Sequence, residues 1–194
     1  LTKVSKSLIN NVGFDVVNYV ITKIAESIIT FLDNEMLTGS TKIQGLLQAK
    51  QQVTAGAASA ITADDLINLQ LTIPQKFRSN GVFIMNPDTF KACSKLKNAQ
   101  GEYLLNKDLT NGFGYTLLGL PVFESDNMPK IGTKAKVAVF ADLKGYATKL
   151  SGDSAEITVL QERFATQYAV GVAGYIEIDG KIVDEQRIAV LAMA

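Results

Sequence analysis

Histidine is absent from this 194-residue sequence. Without the side chain that most often moves protons near neutral pH, the common Ser-His, Cys-His and His-metal arrangements are excluded. Cysteine occurs once, as Cys93, which excludes an intramolecular disulfide and a Cys-rich metal site and fits a reducing compartment. Neither sign of charge is in excess, with 19 Lys and Arg against 19 Asp and Glu. No global field therefore draws the chain to a nucleic-acid duplex or an anionic membrane. No apolar run approaches the ~20 residues of a membrane-spanning helix. The chain opens on Leu1 rather than Met, which reads as a processed product or a fragment, with any targeting signal upstream out of view.

The motifs that announce chemistry are missing as well. Gly112-Phe113-Gly114 lacks a third glycine at dinucleotide-loop spacing and follows a polar loop rather than a strand. There is no GxxxxGK[ST] phosphate loop and no GxSxG nucleophile elbow. Asp64-Asp65 and Asp184-Glu185 are adjacent carboxylates, but neighbouring positions point to different faces, so both pairs read as solvated surface. No DxDxDG calcium loop is present. The expected catalytic, cofactor-binding and metal residues are therefore none, and no cofactor is expected. An enzyme built here would rest all acid-base work on Lys, Asp, Glu or Tyr; a self-assembling structural protein needs only faces, loops and a stiff spine.

What is present is shape. At 47% hydrophobic residues, the chain can bury one good core or two small ones. From residue 15 to 38, Val17, Val20, Ile21, Ile24, Ile28, Phe31 and Leu32 recur at helical spacing, predicting one long helix with a wide buried stripe, ended by Gly39. At 1.5 Å per residue it spans roughly 36 Å, about twice an average helix. Residues 39–60 read as a Gly/Thr/Gln/Ala-rich link and domain junction. Thr62 with Asp65 forms a capping box for a helix bearing Leu66, Leu69 and Ile73, interrupted at Pro74. Val82 to Met85 reads as a buried strand, with Asn86 as N-cap and Pro87 at the first position of a helix that turns Phe90, Cys93 and Leu96 inward. Cys93 is then a small buried hydrophobe. A polar loop follows from 101 to 114, and Gly119 and Pro121 in LLGLPVFESDNMP predict a bend. The rest is β: 137–140, then 147–150 and 155–160 around a hairpin turn at Ser151-Gly152-Asp153-Ser154, then 168–178 with a second turn at Asp179-Gly180 before the return through Ile182, Val183 and 188–193. The order of elements predicts an α+β fold.

These stretches also carry a resemblance. VSKSLINN (4–11), LTGSTKIQGLL (37–47), GVFIMNPDTF (81–90), LKNAQGEYLL (96–105), LLGLPVFESDNMP (117–129), VAVFADLKGY (137–146) and YIEIDGKIV (175–183) follow one another as in the major capsid proteins of tailed bacteriophages, which share the Hong Kong-type capsid fold. The resemblance implies a peripheral domain with a spine helix and a long β-hairpin, here 1–45 and 153–180, and a mixed α/β axial domain, here 46–152 and 181–194. It implies a subunit of virion capsids, assembled in the bacterial host cytoplasm, that joins itself in pentamers and hexamers to build an icosahedral shell around DNA. Scaffold, protease and portal proteins are the implied partners, with no sequence-specific nucleic-acid binding and no membrane. An encapsulin-type nanocompartment shell is the alternative.

Carried onto this chain, the loop facing the capsomer axis places subunit contacts at Asn98, Gln100, Gly101 and Glu102. The GLPV element would end that loop and enter the central sheet. The N-terminal arm and extended loop that clasp neighbours in the family are not found within these residues, so residues 1–194 alone are expected to associate weakly. Some relatives join subunits by a Lys-Asn isopeptide bond. Gln167 stands where their Asn falls, and no such cross-link is expected.

Overall fold

Fifteen helices and strands carry the fold of the computed structural model, which describes residues 1–40, 42–97, 105–108 and 114–194. In chain order they are β1 (Thr2–Ser5), α1 (Lys6–Asn11), α2 (Val16–Thr38), β2 (Gln51–Thr54), α3 (Ala63–Thr72), α4 (Gln75–Arg78) and β3 (Val82–Met85). Then follow α5 (Pro87–Cys93), β4 (Leu105–Asp108), β5 (Gly114–Leu117), β6 (Leu120–Glu124), β7 (Lys136–Ala141), β8 (Tyr146–Leu160), β9 (Ala169–Ile182) and β10 (Ile188–Ala192). The chain divides into two compact units, one of Leu1–Asp33 with Thr148–Asp179 and one of Asn34–Ala147 with Gly180–Ala194.

The second unit is built on a mixed sheet ordered β2-β10-β7-β3-β6-β5-β4. Period-two alternation divides its core between the two faces. Ala138 and Phe140 of β7 and Ala189 and Leu191 of β10 join Leu66 and Leu69 of α3, Ile73 just after it and Cys93 of α5 on one side. Val139, Ala141, Ile188 and Val190 face Leu37, Leu46, Leu47, Ala49 and Met128 on the other. Because both faces are covered, β7 and β10 read as unbroken apolar runs rather than alternating ones.

The local signals for α3 and α5 work as their sequences foretell. Thr62 Oγ1 accepts from Asp65 N–H at 3.3 Å while the Asp65 carboxylate accepts from Thr62 N–H at 2.8 Å. Pro74 stops α3, and Arg78 then donates from Nε to the Ile73 carbonyl (2.6 Å) and from Nη2 to the Leu71 carbonyl (2.9 Å). Asn86 caps α5, its Oδ1 accepting from Asp88 N–H at 3.0 Å. Buried as it is, Asn86 also donates from Nδ2 to the Met128 carbonyl at 2.8 Å and so ties down the DNMP turn. Asn86→Ala should lower stability by about 2 kcal/mol, combining a lost cap and an orphaned buried carbonyl. Asn86→Asp keeps the cap but sets a buried carboxylate oxygen against the Met128 carbonyl, so its loss in a urea titration should be at least as large.

Several expectations are corrected. The LLGLPV bend is a two-residue hairpin: Leu117 pairs with Leu120, and both Leu118 (φ 53°) and Gly119 (φ 78°) lie in the left-handed region, the geometry of a type I′ turn. Pro121 is tolerated in β6 because pairing with β3 begins only at Val122. Part of the expected 101–114 loop is strand, since β4 pairs antiparallel with β5 from Leu105↔Leu117 to Asp108↔Gly114. The 39–60 link holds β2, which pairs parallel with β10, and a 3-10 turn at Leu46–Gln48.

In the first unit, β9 lies between β1 and β8. β1 pairs with it antiparallel, from Thr2↔Val172 to Ser5↔Ala169. α2 is 23 residues long; Asp15 Oδ1 accepts from Asn18 N–H at 3.0 Å at its start, and Gly39 at φ +77° follows its end. Ile24 and Ile28 pack onto β9 at Gly174. Neither expected hairpin turn exists. Residues 151–154 continue β8, which has β9 as its neighbour in the sheet, and local turn preference yields to strand. Residues 179 and 180 continue β9. Gly180 is small for another reason: a Cβ there would collide with the Tyr146 hydroxyl.

Candidate assembly surface

The seven residues expected to form a buried stripe on α2 do not form one. Val17, Val20, Ile21, Ile24, Ile28 and Leu32 are only half-buried, and Phe31 is 56% exposed. Ile29, two residues away and so about 200° around the axis, is 60% exposed. Tyr19 is exposed too, edge-on to exposed Phe14 at 6.1 Å between centroids, with Lys23 Nζ 5.8 Å from its ring. A helix apolar around most of its circumference belongs in an interior. Here both flanks of the stripe face solvent.

The first unit has little core of its own. Both hydrophobic clusters found among the described residues lie in the second unit. Among the described residues, the buried apolar side chains of the first unit are Val4, Val16, Ala169, Val170, Val172 and Ala173. Its sheet adds further exposed apolar surface at Leu150, Val159, Tyr168 and Tyr175.

The loop residues Asn98, Gln100, Gly101 and Glu102 lie outside the described residues. Gln167 is described and exposed; its Oε1 accepts from Lys3 Nζ of the same chain at 2.6 Å. The adjacent carboxylates are not simply solvated. Asp64 is exposed, but Asp65 is buried; burial alone would raise its carboxyl, yet hydrogen bonds from the Thr62 N–H and hydroxyl and from Gly56 N–H hold it below the usual range. Asp184 and Glu185 are half-buried, one on Arg187 Nε at 3.0 Å and the other accepting from Lys50 N–H at 3.0 Å. Spacing foretells the Thr62 bonds of Asp65 but not its bond from Gly56 or the partners of Asp184 and Glu185, which lie on other elements or in the next turn. Cys93 is fully buried, and that burial pushes its thiol up to about 11. Among the described residues no group of three or more His, Cys, Asp or Glu could hold a metal, and no helix is long and apolar enough to cross a membrane.

A sequence model described as the phage capsid family matches residues 1–193. Among solved structures, the capsid of an empty GTA particle computed with C5 symmetry superposes at a TM-score of 0.85 with 25% identity, over 100% of this chain and 71% of that one. A structure from Mycobacterium phage Adephagia gives 0.70 at 12% identity, over 100% and 70%. The holo-SrpI encapsulin complex from Synechococcus elongatus PCC 7942 gives 0.73 at 17%, over 98% and 70%. These last two establish the fold alone. No curated protein sequence matches. A helix left apolar on its flanks, a unit without its own core cluster and a family match along the whole chain agree: the chain belongs to the phage capsid family and is a structural protein of the major capsid type.

Proposed function

We propose that this chain is the repeating subunit of an icosahedral shell enclosing DNA, and that copies of itself cover the exposed flanks of α2. The observation that carries the reading is the exposure of Phe31 and Ile29 on a helix whose stripe is half-buried, in a unit without a core cluster. The shell-forming nature of the family and the C5 symmetry of a similar capsid support a second copy as the occupant. The first compact unit, 1–33 with 148–179, would form the body of the peripheral domain, whose expected bounds of 1–45 and 153–180 run further along α2, and the second unit that of the axial domain, expected at 46–152 and 181–194, its axis-facing contacts at Asn98, Gln100, Gly101 and Glu102. Pentamers and hexamers are the proposed capsomers. Scaffold, protease and portal proteins are the proposed partners, and the host cytoplasm the site of assembly. We infer a structural role without turnover of a substrate, which the lack of histidine supports.

The test is to express the protein that carries this chain, isolate particles and identify what they hold. Closed shells with nuclease-protected DNA are the expected result. Shells filled with an enzyme and free of DNA would favour the encapsulin alternative, and a protein that never passes beyond monomer would overturn both.

A further inference from the structure

The boundary between the two compact units is crossed three times, at Asp33/Asn34 within α2, at Ala147/Thr148 within β8 and at Asp179/Gly180 within β9. Just inside the second unit, one residue engages both strands. Gln44, shortly after α2, donates its N–H to the Gly180 carbonyl at 2.9 Å. Its carbonyl accepts from Tyr146 Oη at 2.8 Å, and its Oε1 accepts from Ile182 N–H at 3.2 Å. The phenol of Tyr146 lies where a Cβ on residue 180 would be, so only glycine leaves room for it.

A second set of bonds lies beside the first. The Gly145 carbonyl accepts from Val183 N–H at 2.9 Å and Asp184 N–H at 3.1 Å. Arg187 bridges two capping carboxylates, Nη1 to Asp142 at 2.7 Å and Nε to Asp184 at 3.0 Å, with its guanidinium 4.0 Å from the Phe77 ring centroid. Asp142 is buried and caps the 3-10 turn Leu143–Gly145; Asp184 caps the turn Glu185–Arg187. A planar guanidinium holds two carboxylates and an aromatic face in one geometry, which an ammonium cannot reproduce.

We propose that these residues form a collar, a conformational device that holds the start of β8 and the end of β9 in one fixed register. Any bending of the strands during shell building is then confined to residues beyond Ala147 and before Gly180. The collar lies wholly in the second unit and reaches its apolar clusters only through Phe77, Tyr146 and Ile182. It extends the shell-subunit reading, but the measurement below tests it whether or not shells form.

Amide hydrogen exchange is read peptide by peptide on the unmodified chain, Tyr146→Phe, Arg187→Lys and Gly180→Ala. Tyr146→Phe keeps the ring and removes the hydroxyl that donates to Gln44, so it guards against a variant that fails to fold. The expected result is exchange about tenfold faster at residues 148–150 and 177–179, amides outside the collar, with 137–140 of β7 and 188–191 of β10 unchanged. A change limited to residues that lost a bond, or one spread evenly through β7 and β10, would overturn the proposal. So would no change in Tyr146→Phe and Arg187→Lys together.

Discussion

Aspartate at both Ile29 and Phe31 should abolish capsomers and shells while leaving the melting temperature of the chain within a few degrees of its original value. Both side chains are more than half exposed in the single chain, and surface substitutions away from structural features usually move stability by only about 0.5 kcal/mol. At a self-interface the balance reverses. A buried aromatic anchor is commonly worth about 2 kcal/mol or more, and a carboxylate facing apolar surface with no partner adds a desolvation penalty. Since ~1.4 kcal/mol is a factor of ten, each contact should weaken about a hundredfold. Every subunit of a closed shell repeats the defect. Size exclusion with light scattering reads assembly, and circular dichroism reads the fold. Assembly that persists in the double variant would remove α2 from the interface; lost assembly with a melting temperature down by ten degrees or more would show that the two side chains support the subunit itself.

Much of the second unit is legible in sequence because its signals are local. A capping box needs only Thr62 and Asp65, three positions apart, and Asn86-Pro87 starts a helix by chemistry confined to one turn. Strands covered on both faces appear as apolar runs, and VAVF within β7 is one. Long strands are harder. Glycine with aspartate or serine favours a turn over two to four residues, whereas β8 and β9 run 15 and 14 residues and gain from pairing along their length. A glycine that makes room for a remote phenol looks the same in sequence as one that turns the chain.

The proposed assembly surface is half legible. Helical spacing foretells which residues of α2 are apolar, but the period does not say what covers them, and a stripe destined for a neighbouring copy has the same pattern as one destined for the chain's own core. The separating signal lies in Tyr19, Ile29 and Phe31, apolar residues well apart around the helix. Those three make it too apolar for a single covered face, and the half-buried stripe completes the case.

Phe140→Ala should be the most damaging single truncation in the second unit, at about 3–5 kcal/mol. Phe140 is fully buried on β7, between β10 and β3 in the sheet, and its ring lies 4.7 Å from that of Phe83 at a 35° tilt. Against a typical total of roughly 5–15 kcal/mol, that loss brings the subunit close to unfolding. Its surroundings supply an internal check, because the Phe140 ring occupies the position that a Cβ on Gly81 would take. Gly81→Ala alone should therefore lose about 1–3 kcal/mol by overpacking. In the Phe140→Ala background only the Arg78 carbonyl, 3.1 Å from that Cβ position, still crowds it, and the same alanine should cost far less than in the original chain. Urea midpoints for the two single variants and the double variant close the cycle. A coupling of at least about 1 kcal/mol in that direction is expected; strictly additive losses would mean that residue 81 does not press on the ring and that the close approach at Gly81 has another origin.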